Sequence, residues 1–220
     1  MLELDDIILR QGDFTLHADF AIDQGRATTL IGPSGGGKST LLSAIAGFNA
    51  VSKGQLFWDG VRLDVLPPAE RPLAMLFQDY NLFPHLTVAR NVGLGLTPKL
   101  KLTEAQHDQV AKALADVGLS GYEARKPSQL SGGQQSRVAL ARVLISDRPI
   151  VLLDEPFAAL GPALKVEMLD LVKETLITNR RTVLMVTHDP QDATYLAGQT
   201  VVVADGIAHA PKDTRALFSA

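Results

Sequence analysis

The sequence predicts an α/β fold built on a mainly parallel sheet, and three observations predict it. Short aliphatic and β-branched runs alternate with helical patterns along the chain. A glycine-rich stretch sits between one such run and a helical pattern, the join at which open parallel sheets bind ligands. A long region of helical spacing, roughly 87–149, stands between two regions of strand character.

The clearest strand runs are 27–31, 73–77, 150–153 and 182–187. A last run, 200–204, meets Asp205-Gly206, whose turn chemistry predicts a hairpin into 207–209. Near the N-terminus, Asp59-Gly60 between 56–58 and 61–63 predicts a second hairpin, and with it an N-terminal antiparallel β part. In the helical region, Thr103 and Gln106 have capping-box spacing. Val110, Leu114 and Val117 follow at helical intervals, and Gly118 supplies the stop. Gly161-Pro162 begins another helix, with Leu164, Met168, Leu171 and Val172 as its buried stripe. The expected organisation is one unit over 1–220, in which 1–86 and 150–220 form the α/β core and 87–149 an inserted helical lobe.

Composition narrows the chemistry. A net charge of -3 and no basic stripe argue against nucleic acid as a partner. The absence of cysteine excludes disulfides, thiolate metal sites and a cysteine nucleophile, and fits a reducing cytoplasm. The N-terminal stretch MLELDDIILRQGDF carries early acids and no long apolar run, so it does not read as a secretory signal. No apolar stretch approaches the ~20 residues that span a bilayer.

The residues just beyond the predicted strands form a set. After 27–31 comes Gly32-Pro33-Ser34-Gly35-Gly36-Gly37-Lys38-Ser39-Thr40, a G-x-x-x-x-G-K-S loop leading into a helix. Its backbone N–H groups and the helix start favour phosphate; Lys38 adds a charge for the β- and γ-phosphates and Ser39 a hydroxyl for Mg²⁺. After 150–153 come Asp154, suited to a second contact with Mg²⁺, and Glu155, suited to deprotonate an attacking water. After 182–187 comes His188, placed to hold that water or to sense the γ-phosphate. After 73–77 comes Gln78, whose amide can touch Mg²⁺ or the water. A flexible loop, a solvated acidic pair, a structural histidine and a plain loop glutamine are the bland readings of these four ends. Their convergence on one sheet edge favours nucleotide hydrolysis.

A second anion site stands in Leu130-Ser131-Gly132-Gly133-Gln134, where Ser131 and Gln134 have capping-box spacing and two glycines leave the amides of a helix start accessible. An ordinary helix cap is the simpler reading of this segment alone.

Taken together, GPSGGGKST, Gln78 in LFQDYNLFPHLTV, LSGGQ, IVLLDEP and His188 in VTHD resemble the ATP-binding subunits of ABC transporters over essentially the whole chain. The resemblance implies a P-loop NTPase (RecA-like) core and a head-to-tail homodimer that sandwiches two ATP molecules. Each nucleotide would lie between the P-loop of one chain and Ser131, Gly133 and Gln134 of the other, which gives the second anion site its use. It also implies Mg²⁺ at Ser39 and Asp154, Glu155 as base, His188 on the γ-phosphate, and contact of Gln78 and the helical lobe with integral membrane permease subunits. A substrate-binding protein would be an indirect partner, and the chain would lie peripherally at the cytoplasmic face of the inner membrane.

Three positions depart from the family pattern. Arg10-Gln11-Gly12 stands where an aromatic usually stacks on adenine, with Phe14 close by; Gly161 replaces an aspartate that helps couple the two sites; and Ser136 replaces a common glutamine, a change with no evident consequence. Within the family, NLFPHLTVARNVGLGL with the 97–102 stretch after it, and VVVADGIA near the end, look like the ATPase subunit of bacterial thiamine importers. Thiamine or its phosphates is the expected cargo, with another small solute as the alternative. A soluble ABC-type ATPase on nucleic acid or ribosomes would want basic patches or long inserted arms, and a GTPase an N-K-x-D motif; neither is present. A catalytically dead regulator fits poorly with Lys38, Asp154, Glu155 and His188 together.

Overall fold

The computed structural model describes residues 1–99, 101–196 and 198–218. Leu100, in the 97–102 stretch, lies outside them.

The chain opens with strands β1 (Leu2–Gln11), β2 (Phe14–Ile22) and β3 (Ala27–Ile31), then helix α1 (Lys38–Ala46), β4 (Lys53–Trp58), β5 (Val61–Arg62) and β6 (Leu73–Leu76). Helices α2 (Val88–Gly93), α3 (Glu104–Asp116) and α4 (Gly132–Leu144) come next. Then come β7 (Ile150–Asp154), α5 (Pro162–Val172), β8 (Thr182–Val186), α6 (Pro190–Leu196) and β9 (Gln199–Ala204). Short strands β10 (Ile207–Ala208) and β11 (Lys212–Asp213) and helix α7 (Thr214–Phe218) end the described chain.

Among the described residues these strands join in one sheet, in the order β5-β4-β1-β2-β10-β9-β3-β8-β7-β6, with β11 on β9. Strands β9, β3, β8, β7 and β6 are parallel to one another. Strands β5, β4, β1 and β2 are antiparallel. The β10 segment stitches the halves together, pairing parallel to β2 and antiparallel to β9. Both predicted hairpins form, at Asp59-Gly60 and Asp205-Gly206.

The continuous aliphatic runs of β7 and β8 are explained by burial on both faces. Ile150, Leu152, Leu184 and Val186 face a core shared with α1 and the antiparallel strands. Val151, Leu153, Val183 and Met185 face a second core shared with α2, α3, α4 and α5. Adjacent residues of one strand thus serve opposite cores, as the two-residue strand period requires. Within α5, Met168 and Val172 are buried as the spacing predicts; Leu164 and Leu171 are half-buried, and Leu169 is buried beside them.

Strands β1 and β2 are the elements that the residue pattern did not resolve. In β1, Leu2, Leu4, Ile7 and Leu9 are all buried, but a bulge between Leu4 and Ile7 sets Asp6 at φ 45 and breaks the alternation. The helix starts follow local rules more closely. Thr103 and Ser131 each form the full capping box, with Gln106 and Gln134 reaching back to the cap amide at 2.9 Å. Helix α5 starts at Gly161 with no side-chain cap, and Pro162 in its first turn lacks the N–H that would need one.

Candidate functional site

Strand β3 delivers the glycine-rich loop to the sheet edge. Gly32 has φ 152, and a Cβ there would collide with the Val203 carbonyl oxygen of β9, so no other residue fits at the exit of the strand. Gly37 has φ 99 just before α1, and a Cβ there would stand 2.7 Å from the Phe14 ring. The loop is therefore backed by β9 on one side and by the β1–β2 hairpin on the other. Phe14 is the aromatic residue that touches it, whereas Arg10 is solvent-exposed.

Lys38 opens α1 and is almost buried, its Nζ donating to the carbonyls of Gly32 at 2.9 Å and Pro33 at 2.8 Å. The ammonium is folded over the loop, where an arriving phosphate can exchange for those carbonyls. The next residue, Ser39, donates from its hydroxyl to Asp154 Oδ1 at 2.9 Å. Burial at the end of β7 pushes the Asp154 carboxyl above its ordinary value; the hydrogen bond from Ser39 opposes this, and the neighbouring Glu155 charge adds to it.

Glu155 comes next at φ 45, in the left-handed region, with its amide donating to the Val186 carbonyl at 3.2 Å. A non-glycine residue held there stores on the order of 1–3 kcal/mol, and such strain concentrates at functional sites. Across the end of β8, His188 Nδ1 lies 3.6 Å from Glu155 Oε2, beyond direct hydrogen-bond range. The His188 ring is 68% exposed and Glu155 24%, so the pair meets at the mouth of the site.

A cavity of about 250 Å³ gathers these groups: Lys38, Ser39 and Thr40 line it with Ser34, Gly35 and Gly37 of the loop, and so do Gln78 and Glu155. The strand ends after β3, β6 and β7 thus meet at one cavity, and the end after β8 borders it through the His188–Glu155 approach. Ser39 and Asp154 bring a hydroxyl and a carboxylate together in or beside this cavity. Two hard oxygen donors beside a phosphate loop fit Mg²⁺, which keeps waters and takes few protein ligands. Among the described residues no group of three or more His, Cys, Asp or Glu forms a protein-only metal site.

Ser131, Gly132, Gly133 and Gln134 do not line this cavity. They form the start of α4, with Ser131 and Gly132 exposed and Gly133 and Gln134 half-buried; Gly133 lies close to Leu160 and Ala159 in the segment between Glu155 and α5. Within one chain, the glycine-rich loop and this second candidate anion site are separate. Ser136, given little weight on sequence, proves buried, with its hydroxyl donating to the Pro156 carbonyl at 2.7 Å. It ties α4 to the residue after Glu155, a contact for which the sequence carries no signal.

The sequence pattern of the ABC transporter family matches residues 16–158. The chain belongs to the ABC transporter family. It is an ATPase of that family, with the fold the residues predict. Among similar proteins, the thiamine import ATP-binding protein ThiQ of Cereibacter sphaeroides is 58% identical over 219 residues, 100% of this chain and 95% of its own length. ThiQ of Ruegeria sp. strain TM1040 is 56% identical, over 99% of this chain and 94% of its own. Among solved structures, the ATP-binding cassette MJ0796, captured as a post-hydrolysis dimer bound to ADP and Pi, superposes with a TM-score of 0.87 at 29% identity, covering 98% of this chain and 99% of its own. Among the described residues of this ABC ATPase, no helix is long and apolar enough to cross a membrane.

Proposed function

We propose that this ATPase powers an importer for thiamine or its phosphates. The observation that carries the cargo is the 58% identity to a thiamine import ATP-binding protein over 219 residues. The chain would act at the cytoplasmic face of the inner membrane, bound to integral permease subunits that receive thiamine from a substrate-binding protein. The helical lobe, 87–149, and Gln78 would be its contacts to the permease.

The site geometry supports a division of labour. Lys38 exchanges its two backbone carbonyls for phosphate oxygens, and the loop amides hold the rest of the phosphate chain. Ser39 and Asp154 would hold Mg²⁺, which supplies charge neutralisation at the β- and γ-phosphates. Glu155, fixed by its strained backbone, takes a proton from the attacking water, while His188 and Gln78 orient that water and the γ-phosphate from either side. Ser131, Gly133 and Gln134 lie away from this cavity, which supports a role on the partner's nucleotide in a head-to-tail homodimer; the dimeric state of MJ0796 supports the same reading. ATP then favours the closed dimer because it contacts both faces, and hydrolysis removes that preference.

Cells in which the Glu155→Gln chain is the sole copy test the whole reading. Uptake of labelled thiamine should collapse, while the purified variant still binds ATP. Undiminished uptake alongside ATP hydrolysis by the unmutated protein would leave an ABC ATPase with another cargo.

A further inference from the structure

Among the described residues the His188 ring makes no hydrogen bond; the backbone on either side of it is what is held. Thr187, just before it, donates from its hydroxyl to Asp192 Oδ2 at 2.7 Å, and the same hydroxyl accepts from the Asp189 amide at 3.1 Å. Asp189, just after it, and Asp192 both reach one cation. Lys165 Nζ on α5 lies 2.7 Å from Asp189 Oδ2 and 2.6 Å from Asp192 Oδ1. Asp192 is nearly buried, at 8% side-chain exposure, and Lys165 is 21% exposed.

Lys165 stands one turn into α5, where its amide donates to the Gly161 carbonyl at 2.9 Å. Helix α5 in turn begins where the segment after Glu155 ends. Lys165, Glu155, His188 and Asp192 line one cavity of about 80 Å³, too small for a nucleotide. Burial works against the Lys165 charge, but hydrogen bonds to Asp189 and Asp192 outweigh it and raise the ammonium above its ordinary value.

Resting on the roles proposed for Glu155 and His188, we infer that Lys165 is a positioning residue for hydrolysis. By clamping Asp189 and Asp192 to α5, it holds the peptide units flanking His188 at a set distance from the Glu155 segment. A weld that served only to join α5 to α6 could be made by packed apolar side chains, because a partly buried ion pair recovers little beyond its own desolvation. A clamp on both sides of His188 has a use of a different kind: the His188–Glu155 geometry must survive while nucleotide enters and leaves. Lys165 touches neither the phosphate loop nor the cavity that holds Lys38, so nucleotide binding should not depend on it.

The test is steady-state ATP hydrolysis by the purified full-length chain, with nucleotide affinity measured separately by titration of a fluorescent ATP analogue. In Lys165→Met, kcat should fall by about tenfold to a hundredfold, the usual effect of a small misplacement at the reacting centre. KM and analogue affinity should stay within about twofold, because the loss lies in the transition state alone. Lys165→Arg, which can still reach both carboxylates, should restore most of kcat. If Lys165→Met does not fold, Thr187→Val removes only the hydroxyl link to Asp192 and should lower kcat in the same manner. A folded variant with unaltered kcat, or one that loses nucleotide affinity in step with kcat, overturns the inference. Absence of hydrolysis by the unmutated chain would instead remove the catalytic assignments on which it rests.

Discussion

The Ser39 hydroxyl donates to Asp154 Oδ1 at 2.9 Å across 115 residues of sequence, and that one bond joins the phosphate loop to the end of β7. It holds a carboxylate whose pKa burial has pushed above the ordinary 3.8. A carboxyl raised in the folded state contributes its stability below the unfolded value, and that contribution is lost as pH rises through the folded pKa. At neutral pH the ionised Asp154 is therefore a cost to the nucleotide-free fold. Asp154→Asn keeps an acceptor for Ser39 and should raise the melting temperature of nucleotide-free protein at pH 7, by a margin that shrinks as pH falls through the raised folded pKa towards the ordinary 3.8. The same variant should lose the extra stabilisation that Mg²⁺ with ATP confers. Thermal melts across pH, with and without Mg-ATP, measure both effects.

Gly37 carries two constraints at once: a φ of 99 and a phenyl ring where its side chain would be. Gly37→Ala should cost more than the ~1 kcal/mol of a left-handed backbone alone. Adding Phe14→Ala relieves the steric share and leaves the backbone share. Denaturant melts of the single and double variants should therefore show a coupling of about 0.5 kcal/mol or more. Strict additivity would mean that the ring moves aside freely.

Ser136 is a stability residue that anchors the residue after Glu155, the proposed base. Removing its hydroxyl in Ser136→Ala leaves the Pro156 carbonyl buried without its 2.7 Å partner. The expected loss is about 1–3 kcal/mol. At roughly 2–4 °C per kcal/mol for a domain of this size, a melting curve resolves it.

Ser131 lies exposed at the start of α4, away from the cavity of its own chain. Ser131→Arg should therefore leave binding of one ATP per monomer intact. A bulky charge in the second anion element should nevertheless prevent the ATP-dependent dimer, which size-exclusion chromatography of the Glu155→Gln background detects. Normal dimer formation by the doubly substituted chain would remove the composite site.

Much of this was legible in the residues because the interactions concerned are local. The two capping boxes at Thr103 and Ser131 span three residues each. The phosphate loop is a single contiguous stretch between strand and helix, and the aliphatic runs of β7 and β8 announce burial on both faces. The pattern of β1 was hidden because its bulge at Asp6 inserts a residue into the two-residue period, so Leu4 and Ile7 share a face although they are three apart. Strand ends also differ from the aliphatic runs by a residue: β6 closes at Leu76 and β8 at Val186, while β7 runs on to include Asp154.

The sequence by itself determined the residue types at each strand end, the glycine-rich loop between strand and helix, and the family to which they belong. Tertiary structure decided which of those ends meet. The order β3-β8-β7-β6 sets His188 against Glu155 and Gln78 near the loop, and it alone brings Ser39 to Asp154, Ser136 to Pro156 and Lys165 to Asp192. Caps, turns and alternation arise from steric and hydrogen-bonding rules acting over a few residues. The partners in a site depend on how separated strands pair and on which cores their side chains fill, and neither is encoded at any single position.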